Sequence, residues 1–328
     1  MEYTSLGRTG LSVSRLCLGT MNFGPLTTEA DAHLIMDAAH QDGINFFDTA
    51  NVYGWGENKG RTEEILGTWF AEGGGRRERT VLATKLYGNM NAEGHDKWPN
   101  EDKLSALNIR HAVDASLKRL QTDYIDVYQM HHVDRATPWE EIWQAMEVLV
   151  AQGKILYVGS SNFAGWHIAT AQAAAAKRDF LGLVAEQSLY NLLARTVELE
   201  VLPSAEYHGL GVIPWSPLQG GLLGGVLRKA GEQGGRSADR AAKLTVAQRE
   251  QLQAYEDFCD KLGHEPGTVA LAWLLHQPAV TAPIVGPRTG GQLDTALKAL
   301  ELKLDSAALD RLDEIFPGHR PAPEDYAW

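Results

Sequence analysis

Four ionisable side chains lie at or just beyond the ends of short apolar segments: Asp48, Tyr53, Lys85 and His131. Such positions are typical of places where the strands of a buried parallel sheet end and a cleft begins. Each residue taken alone is readily explained as structural. The four together, on consecutive strand ends, could deliver a proton to the oxygen of a carbonyl group, which indicates chemistry rather than packing.

Each of the four has a distinct part in that chemistry. A free tyrosine, with a pKa of about 10, is a poor proton donor near neutral pH. We expect the ammonium group of Lys85, at about 4 Å, to lower the pKa of Tyr53 by about two to three units. Asp48 would keep Lys85 charged, and His131 would donate a hydrogen bond to the carbonyl oxygen. Since no side chain donates hydride, reduction would also require a nicotinamide cofactor.

The segments that must position these residues alternate between two kinds. Short apolar runs predict strands, and amphipathic runs between them predict helices. The predicted strands cover 16–20, 45–50, 81–86, 125–132, 155–160, 183–188, 211–216 and 282–286. The predicted helices cover 28–41, 61–71, 102–120, 138–152, 164–176, 192–207, 289–299 and 306–315, with two more after the seventh strand.

Eight strand–helix units favour an α/β (β/α)8 TIM barrel formed by a single domain over residues 1–328. A doubly wound sheet is the alternative, but the first strand lacks the Gly-x-Gly-x-x-Gly pattern of that fold. Segments 3–6 and 12–14 predict an N-terminal β-hairpin. Residues 219–243 predict a long loop after strand 7, and a C-terminal helix plus a Pro-rich tail complete the chain.

Composition excludes several classes of protein. The net charge of −12 comes without a basic cluster, which argues against a nucleic-acid partner. The sequence shows no signal peptide and no apolar run of about 20 residues, so we expect no membrane association and a cytoplasmic location. With only Cys17 and Cys259, neither a disulfide framework nor a metal site is expected. Oligomeric state cannot be read from the sequence.

Several motifs occur along the chain in a fixed order. They are Leu-Gly-Thr-Met-Asn-Phe-Gly (18–24), Asp-Thr-Ala-Asn-Val-Tyr-Gly (48–54), Ala-Thr-Lys (83–85), Asp-Val-Tyr-Gln-Met-His (126–131), Gly-Ser-Ser-Asn-Phe (159–163), Gln-Ser-Leu-Tyr-Asn (187–191) and Val-Gly-Pro-Arg (285–288). In these motifs the sequence resembles the aldo-keto reductase family over essentially its whole length. The resemblance implies an NADP-dependent oxidoreductase that reduces a small-molecule aldehyde or ketone, with Tyr53 as proton donor.

The same resemblance implies where NADPH or NADP would bind, with NADH possible. Ser161, Asn162 and Gln187 would bind the carboxamide of the nicotinamide, and Trp215 would stack on its ring. The diphosphate would lie against Ser216, Leu218, Gln219 and Gly221, and the adenosine 2'-phosphate against Arg288, Thr289 and Gln292. Further cofactor contacts are expected from Gly19, Thr20, Met21, Asp48, Pro217, Leu223 and Gly286.

One departure from the family pattern lies in the phosphate-binding segment, and another is the long insertion over 89–100 after the third strand. Ala296 occupies the place of an Asn that is often found near the adenine, and Asp294 adds a negative charge close by. Use of NADPH is therefore a firmer expectation than strict selection against NADH.

The aromatic residues Phe23, Trp55, Tyr87 and Trp98, and the tail 326–328, are candidate walls of the substrate pocket. Aromatic walls suit planar or hydrophobic carbonyl compounds, and sugars remain an alternative. Because adjacent strand residues face opposite ways, we assign the substrate contact to His131 and expect His132 behind the strand or at the rim of the cleft.

Two other functions remain open from the sequence. The protein could be a regulatory subunit that senses the redox state of its cofactor, as potassium-channel β subunits of the same superfamily do. It could also be a metal-dependent hydrolase that uses His131, His132 and Asp134. Adjacent histidines on one strand are a poor chelating pair, which disfavours the hydrolase.

Overall fold

Eight parallel strands form the centre of the molecule in the computed structural model, which describes residues 1–91, 94, 97–233 and 235–327, with backbone alone at 232, 233, 235 and 236. An antiparallel hairpin of β1 (Tyr3–Ser5) and β2 (Ser12–Ser14) precedes them. The parallel strands are β3 (Cys17–Gly19), β4 (Phe46–Asp48), β5 (Val81–Leu86), β6 (Ile125–Met130), β7 (Ile155–Ser161), β8 (Leu183–Gln187), β9 (Gly211–Val212) and β10 (Ile284–Val285).

The sheet closes on itself. Its strand order is β10-β3-β4-β5-β6-β7-β8-β9, so β10 and β9 are the two outermost strands. The Val212 N–H donates to the Ala279 carbonyl at 3.1 Å, and the Thr281 N–H donates to the Val212 carbonyl at 2.8 Å. These bonds join β9 to the segment that leads into β10. The (β/α)8 barrel and its N-terminal hairpin are thus confirmed.

Helices follow the strands and cover the outside of the barrel. They are α1 (Glu29–Gln41), α2 (Arg61–Ala71), α3 (Ala106–Leu120), α4 (Trp139–Ala151), α5 (Gly165–Ala176), α6 (Val201–His208), α7 (Val226–Gln233), α8 (Gly235–Ala242), α9 (Val246–Leu262), α10 (Pro266–His276), α11 (Gly290–Leu297), α12 (Ser306–Ile315) and α13 (Glu324–Ala327). Several begin at side-chain caps: the Thr28 hydroxyl accepts from the Asp31 N–H, and the Ser105 hydroxyl from the Asn108 N–H. Within the described residues, no helix is both long and apolar enough to span a membrane.

The predicted loop over 219–243 is wrong, because most of this segment is helical. A 3₁₀ helix covers Gln219–Gly224, and α7 and α8 follow it. Leu223 is fully buried and Val226 is 2 % exposed, so the segment packs an apolar side on the core. Its glycine-rich composition concealed that packing in the sequence.

The single helix predicted over 192–207 is also wrong. A 3₁₀ turn covers Thr196–Glu198, and α6 begins only at Val201. Pro203 lies in the first turn of α6, where its missing N–H costs no helical hydrogen bond. A proline in the interior of a longer helix would remove one.

Side chains of the strands alternate between the barrel interior and the layer under the helices. On β5, Val81 and Ala83 belong to the apolar cluster inside the barrel, whereas Leu82 and Leu86 belong to the outer core. Leu6 and Val13 of the hairpin join the inner cluster and close its N-terminal end. The same inward face of β5 continues to Lys85, at the opposite end of the barrel.

Candidate active site

Asp48, Tyr53 and Lys85 meet inside the C-terminal end of the barrel. Asp48 ends β4, Lys85 lies near the end of β5, and Tyr53 follows in the loop after β4. Lys85 is fully buried and Asp48 is 2 % exposed. An isolated charge at either place would be unfavourable, so each requires the other.

The ammonium group of Lys85 uses three hydrogen bonds. Its Nζ donates to Asp48 Oδ2 at 2.7 Å, to the Thr49 carbonyl at 2.9 Å and to Tyr53 Oη at 3.2 Å. An ammonium group has three N–H donors, so this set accounts for all of them. The bond to Tyr53 directs positive charge at the phenol oxygen.

The second oxygen of Asp48 is held by two buried amides. Asp48 Oδ1 accepts from Gln187 Nε2 at 2.8 Å and from Gln129 Nε2 at 3.1 Å. Gln129 was missed by the sequence-based reasoning. It lies two residues before His131, on the same side of β6 as the inward-facing Val127, and this alternation was the available signal.

Burial raises the pKa of Tyr53 above its usual value, and the nearby Lys85 only partly offsets this by favouring the phenolate. The expectation that Lys85 brings this pKa down towards neutrality is therefore wrong. The desolvation of a phenolate in the barrel outweighs one ammonium group at 3.2 Å. Tyr53 is consequently a neutral phenol near pH 7, which is the form that can donate a proton.

Lys85 and His131 also have defined protonation states near pH 7. Burial alone would lower the pKa of Lys85, but Asp48 and Tyr53 more than compensate, and the pKa is raised. Burial, then the positive charge of Lys85 and the neighbouring His132, lower the pKa of His131 to about 3. The site thus combines an ammonium ion, a neutral phenol and a neutral imidazole near pH 7.

His131 and His132 lie on the same side of the cleft, contrary to the sequence-based argument. β6 ends at Met130, so neither histidine is in the strand and the alternation of faces no longer applies. The two rings are parallel within 1°, with centroids 4.9 Å apart. His131 contacts Tyr53 edge to face at 6.1 Å, and His132, further out, contacts Tyr87 in the same way at 5.2 Å.

The predicted aromatic walls divide into two groups. Trp55 is 54 % exposed and its ring is parallel to Tyr53 within 12°, at 6.5 Å. Tyr87 is partly buried and Trp98 is 74 % exposed. Phe23, by contrast, is fully buried in the outer core, so the prediction that it lines the pocket is wrong. Tyr326 is 75 % exposed, and Trp328 lies outside the described residues.

Four of the residues expected to hold a nicotinamide are close together. Ser161 Oγ donates to the Gln187 carbonyl at 2.9 Å, and Trp215 Nε1 donates to Asn162 Oδ1 at 3.1 Å. Asn162 Nδ2 in turn donates to the His131 carbonyl at 3.1 Å. Asn162 has a φ of 60°, a left-handed conformation that Asn tolerates better than most residues. Its amide therefore connects the loops after β6, β7 and β9.

The segment expected to bind the diphosphate is a turn held by Asn191. Asn191 Nδ2 donates at 2.9 Å both to the Ser216 carbonyl and to Gln219 Oε1. Gly221 has a φ of 98° and lies against the guanidinium of Arg240. A Cβ on this glycine would be 2.7 Å from Arg240 Nη1. Pro217 and Leu223 are buried, and Leu218 is partly buried. Asn191 and Arg240 were not among the predicted residues.

The remaining predicted residues lie at the ends of β3 and β10. Thr20 is buried and its hydroxyl donates to the Asp48 carbonyl at 2.9 Å, whereas Met21 is 45 % exposed. A Cβ on Gly19 would be 2.5 Å from Ile284 Cγ2, and one on Gly286 would be 3.3 Å from Asn22 Nδ2. Glycine at both places allows close packing, because the side chains of Ile284 and Asn22 lie where a Cβ would point.

The start of α11 fits a phosphate group. Thr289, its N-cap residue, makes no side-chain capping bond, and Arg288, Thr289 and Gln292 are partly or fully exposed. A helix N-terminus beside an arginine is a suitable anion site. Ala296 is 5 % exposed and packs in the core, so it faces away from any ligand at this end.

A metal centre built on His131, His132 and Asp134 has no support in the geometry. Asp134 is occupied by the loop itself, since Oδ2 accepts from the Thr137 hydroxyl at 2.7 Å and Oδ1 from the Ala136 N–H at 3.0 Å. In the part of the chain that the structure describes, no group of three or more His, Cys, Asp or Glu residues is arranged to hold a metal ion.

Comparisons with known proteins agree with this architecture. The family model "Aldo/keto reductase family" matches residues 15–316. The uncharacterized oxidoreductase YrpG of Bacillus subtilis (strain 168) is 57 % identical over the full length of both chains. Versiconal hemiacetal acetate reductase of Aspergillus parasiticus is 33 % identical over 98 % of this chain and all of its own. A probable voltage-gated potassium channel subunit beta of Arabidopsis thaliana is 33 % identical over 99 % of this chain and all of its own. With the family match covering nearly the whole barrel, this chain belongs to the aldo/keto reductase family, whose members are oxidoreductases that generally use NAD(P)H.

Proposed function

We propose that this protein reduces an aldehyde or ketone to the alcohol with NADPH, and that Tyr53 supplies the proton. The observation that carries the proposal is the bond of 3.2 Å from the fully buried ammonium group of Lys85 to Tyr53 Oη. The bound cofactor would supply hydride to the carbonyl carbon. The side chains of the protein would supply the proton and stabilise the charge that develops on oxygen.

Proton transfer is the step that the side chains explain. The neutral Tyr53 phenol gives its proton to the substrate oxygen, and the phenolate that remains is stabilised by Lys85. Asp48 and the Thr49 carbonyl hold Lys85 in place for this purpose. His131, neutral near pH 7, donates a hydrogen bond to the same oxygen as its negative charge grows. Tyr53 regains its proton from solvent after the product alcohol leaves.

The aromatic mouth supports planar carbonyl substrates. The Trp55 ring stacks parallel to the Tyr53 ring, and the His132 ring stacks parallel to the His131 ring, so two stacked pairs meet at 79°. A carbonyl held between Tyr53 and His131 would leave the remainder of the substrate against Trp55 and His132. A flat ring makes the largest contact with such surfaces.

The central experiment follows NADPH oxidation with an aromatic aldehyde in the wild type and in Tyr53→Phe. We expect the variant to lose about 10²–10⁴-fold in rate, because it cannot donate a proton, while still binding NADPH. Tyr207→Phe is the matched control, since this tyrosine is 87 % exposed on α6. Equal rates in wild type and Tyr53→Phe would contradict the proposed mechanism.

Selection of NADPH over NADH is tested at Arg288. We expect Arg288→Met to weaken NADPH binding about tenfold and NADH binding by less than twofold, because only NADPH carries the 2'-phosphate. Equal losses for both cofactors would place the phosphate elsewhere.

A second candidate function is a regulatory subunit that senses its cofactor. It is favoured by the 33 % identity with a protein named as a probable channel subunit beta. This function predicts negligible turnover over a broad panel of carbonyl compounds, and a partner complex whose affinity differs between NADPH and NADP. Rapid turnover of any panel member would favour the reductase.

A further inference from the structure

Glu186 is a fully buried carboxyl group that the proposed chemistry does not use. It lies on β8 directly before Gln187, so its side chain points away from the barrel interior, towards the loops after β7 and β8. The donors that it accepts from are neutral. They are the hydroxyls of Ser160 and Ser188 and the backbone N–H of Phe163, at 2.5, 2.7 and 3.1 Å.

One oxygen of Glu186 joins two loops. Oε1 accepts both from the Phe163 N–H and from the Ser188 hydroxyl. The first bond fixes the turn at Asn162, whose left-handed backbone also donates its N–H to the Gln187 carbonyl at 2.9 Å. The second fixes the start of the loop after β8. A buried carboxyl group gains free energy from such bonds and loses it if a donor moves away.

Both loops hold the same residue, Trp215. Its indole Nε1 donates to Asn162 Oδ1 at 3.1 Å, and its backbone N–H donates to the Ser188 carbonyl at 3.0 Å. The side chain of Trp215 therefore bonds to Asn162, whose neighbour Phe163 is held by Glu186. The backbone of Trp215 bonds to Ser188, whose hydroxyl donates to Glu186. The two connections restrain the indole ring both from its Nε1 and from its backbone.

We propose that Glu186 is a positioning residue that acts through Trp215 to orient the surface on which the nicotinamide stacks. The proposal rests on the proposed function, in which Trp215 carries that surface. Glu186 itself touches neither substrate nor cofactor. Glu186 makes none of the three contacts of Lys85, so we expect its loss to leave the proton-donating group of Tyr53, Lys85 and Asp48 in place.

A double-mutant cycle on NADPH affinity tests the proposal. Glu186→Gln keeps the shape but replaces one acceptor oxygen with a donor, and we expect the Kd to rise roughly five- to tenfold. Trp215→Phe should weaken binding as well. If Glu186 acts through Trp215, adding Glu186→Gln to Trp215→Phe changes the Kd by less than twofold. Independent, additive losses would overturn the proposal.

A second measurement needs no cofactor. The near-ultraviolet circular dichroism of Trp215 is obtained as the difference between wild type and Trp215→Phe, and reports how rigidly the indole is held. We expect Glu186→Gln to reduce this difference spectrum by at least half, and an unchanged spectrum would contradict the proposal. Because it involves no turnover, this result stands apart from the Tyr53→Phe experiment, which tests the proposed function.

Two further variants separate positioning from folding. Ser188→Ala removes one donor to Glu186 and should weaken NADPH binding in the same direction by about threefold. Glu63→Gln removes another fully buried carboxylate, which accepts from the Thr84 hydroxyl at 2.6 Å and Arg119 Nε at 2.7 Å. We expect it to lower stability and leave the Trp215 spectrum unchanged. If it changes that spectrum as much as Glu186→Gln does, the effect is general and the proposal fails.

Discussion

The two ends of the barrel interior differ completely in chemical character, although the same strands form both. On β4, Phe46 belongs to the inner apolar cluster and Asp48, two residues on, carries a charge. On β5, Ala83 lies in the same cluster and Lys85 follows it. The change takes place over about 7 Å of strand. The difference indicates a division of roles between the two ends. The apolar packing at the hairpin end stabilises the barrel, and this stability allows the opposite end to hold buried polar groups.

The largest effect is expected when the charge at the polar end is removed. Lys85→Met should lower the rate of carbonyl reduction about 10²–10⁴-fold, because the phenolate of Tyr53 loses its stabilising ammonium group. Lys154→Met is the control, since Lys154 pairs with Asp114 at 2.6 Å on the surface. If the rate of Lys85→Met stays within threefold of the wild type, the polar end does not carry the chemistry assigned to it.

The apolar end should respond in the opposite manner. Phe46 is fully buried, so Phe46→Ala should lower the free energy of unfolding by about 3–5 kcal/mol. The rate per folded molecule should stay within about threefold of the wild type. Denaturant unfolding and steady-state kinetics on the same samples check this. A large loss of rate without a loss of stability would show that the two ends are not separable.

The pH dependence of stability should originate just outside the polar end, at Glu186. Burial raises its pKa from 4.5 to about 7, so the folded state binds this proton more tightly than the unfolded state. The stabilising contribution is complete below pH 4.5 and is lost as the pH rises towards about 7, by roughly 3 kcal/mol. Unfolding free energies of wild type and Glu186→Gln between pH 4.5 and 8 should therefore differ in slope. Parallel curves would contradict this assignment.

The smallest effect is expected from His131 itself. Burial, Lys85 and His132 lower its pKa to about 3, so the imidazole loses its proton well below pH 5 and stays neutral above it. Its titration should change the rate of reduction by less than about twofold between pH 5 and 8. A limb with an apparent pKa of about 6–7 that disappears in His131→Ala would show that the polar end is more solvated than its burial indicates.

Much of the barrel was predictable, because its strands are short apolar runs that alternate with amphipathic helical segments. The bounds of α2 and α12 were predicted to the residue. The end of β6 was not, since Met130, His131 and His132 are all compatible with a strand by composition. That two-residue error led us to expect His131 and His132 to face opposite ways, whereas their rings are stacked.

Other misses share a physical cause. The raised pKa of Tyr53 depends on how deeply the phenol is buried, which no spacing in the sequence reveals. Phe23 looked like a cleft residue because it follows a strand end, yet it packs under the helices. Gln129 and Glu186 owe their importance to partners 81 and 23 residues away, Asp48 and Phe163. Such contacts form only once the strands and the loops that follow them have packed together.

The hairpin that closes the apolar end also determines where the protein can be attached to a support. Met1 is 39 % exposed and lies next to β1, on the face opposite to Tyr53 and Trp215. The C-terminal segment runs on the other face, where the Ala322 N–H donates to the Leu199 carbonyl at 2.7 Å in the loop after β8. An affinity tag or a surface linkage at Met1 therefore leaves the mouth of the barrel open to solution, whereas a linkage through the tail brings the support beside it.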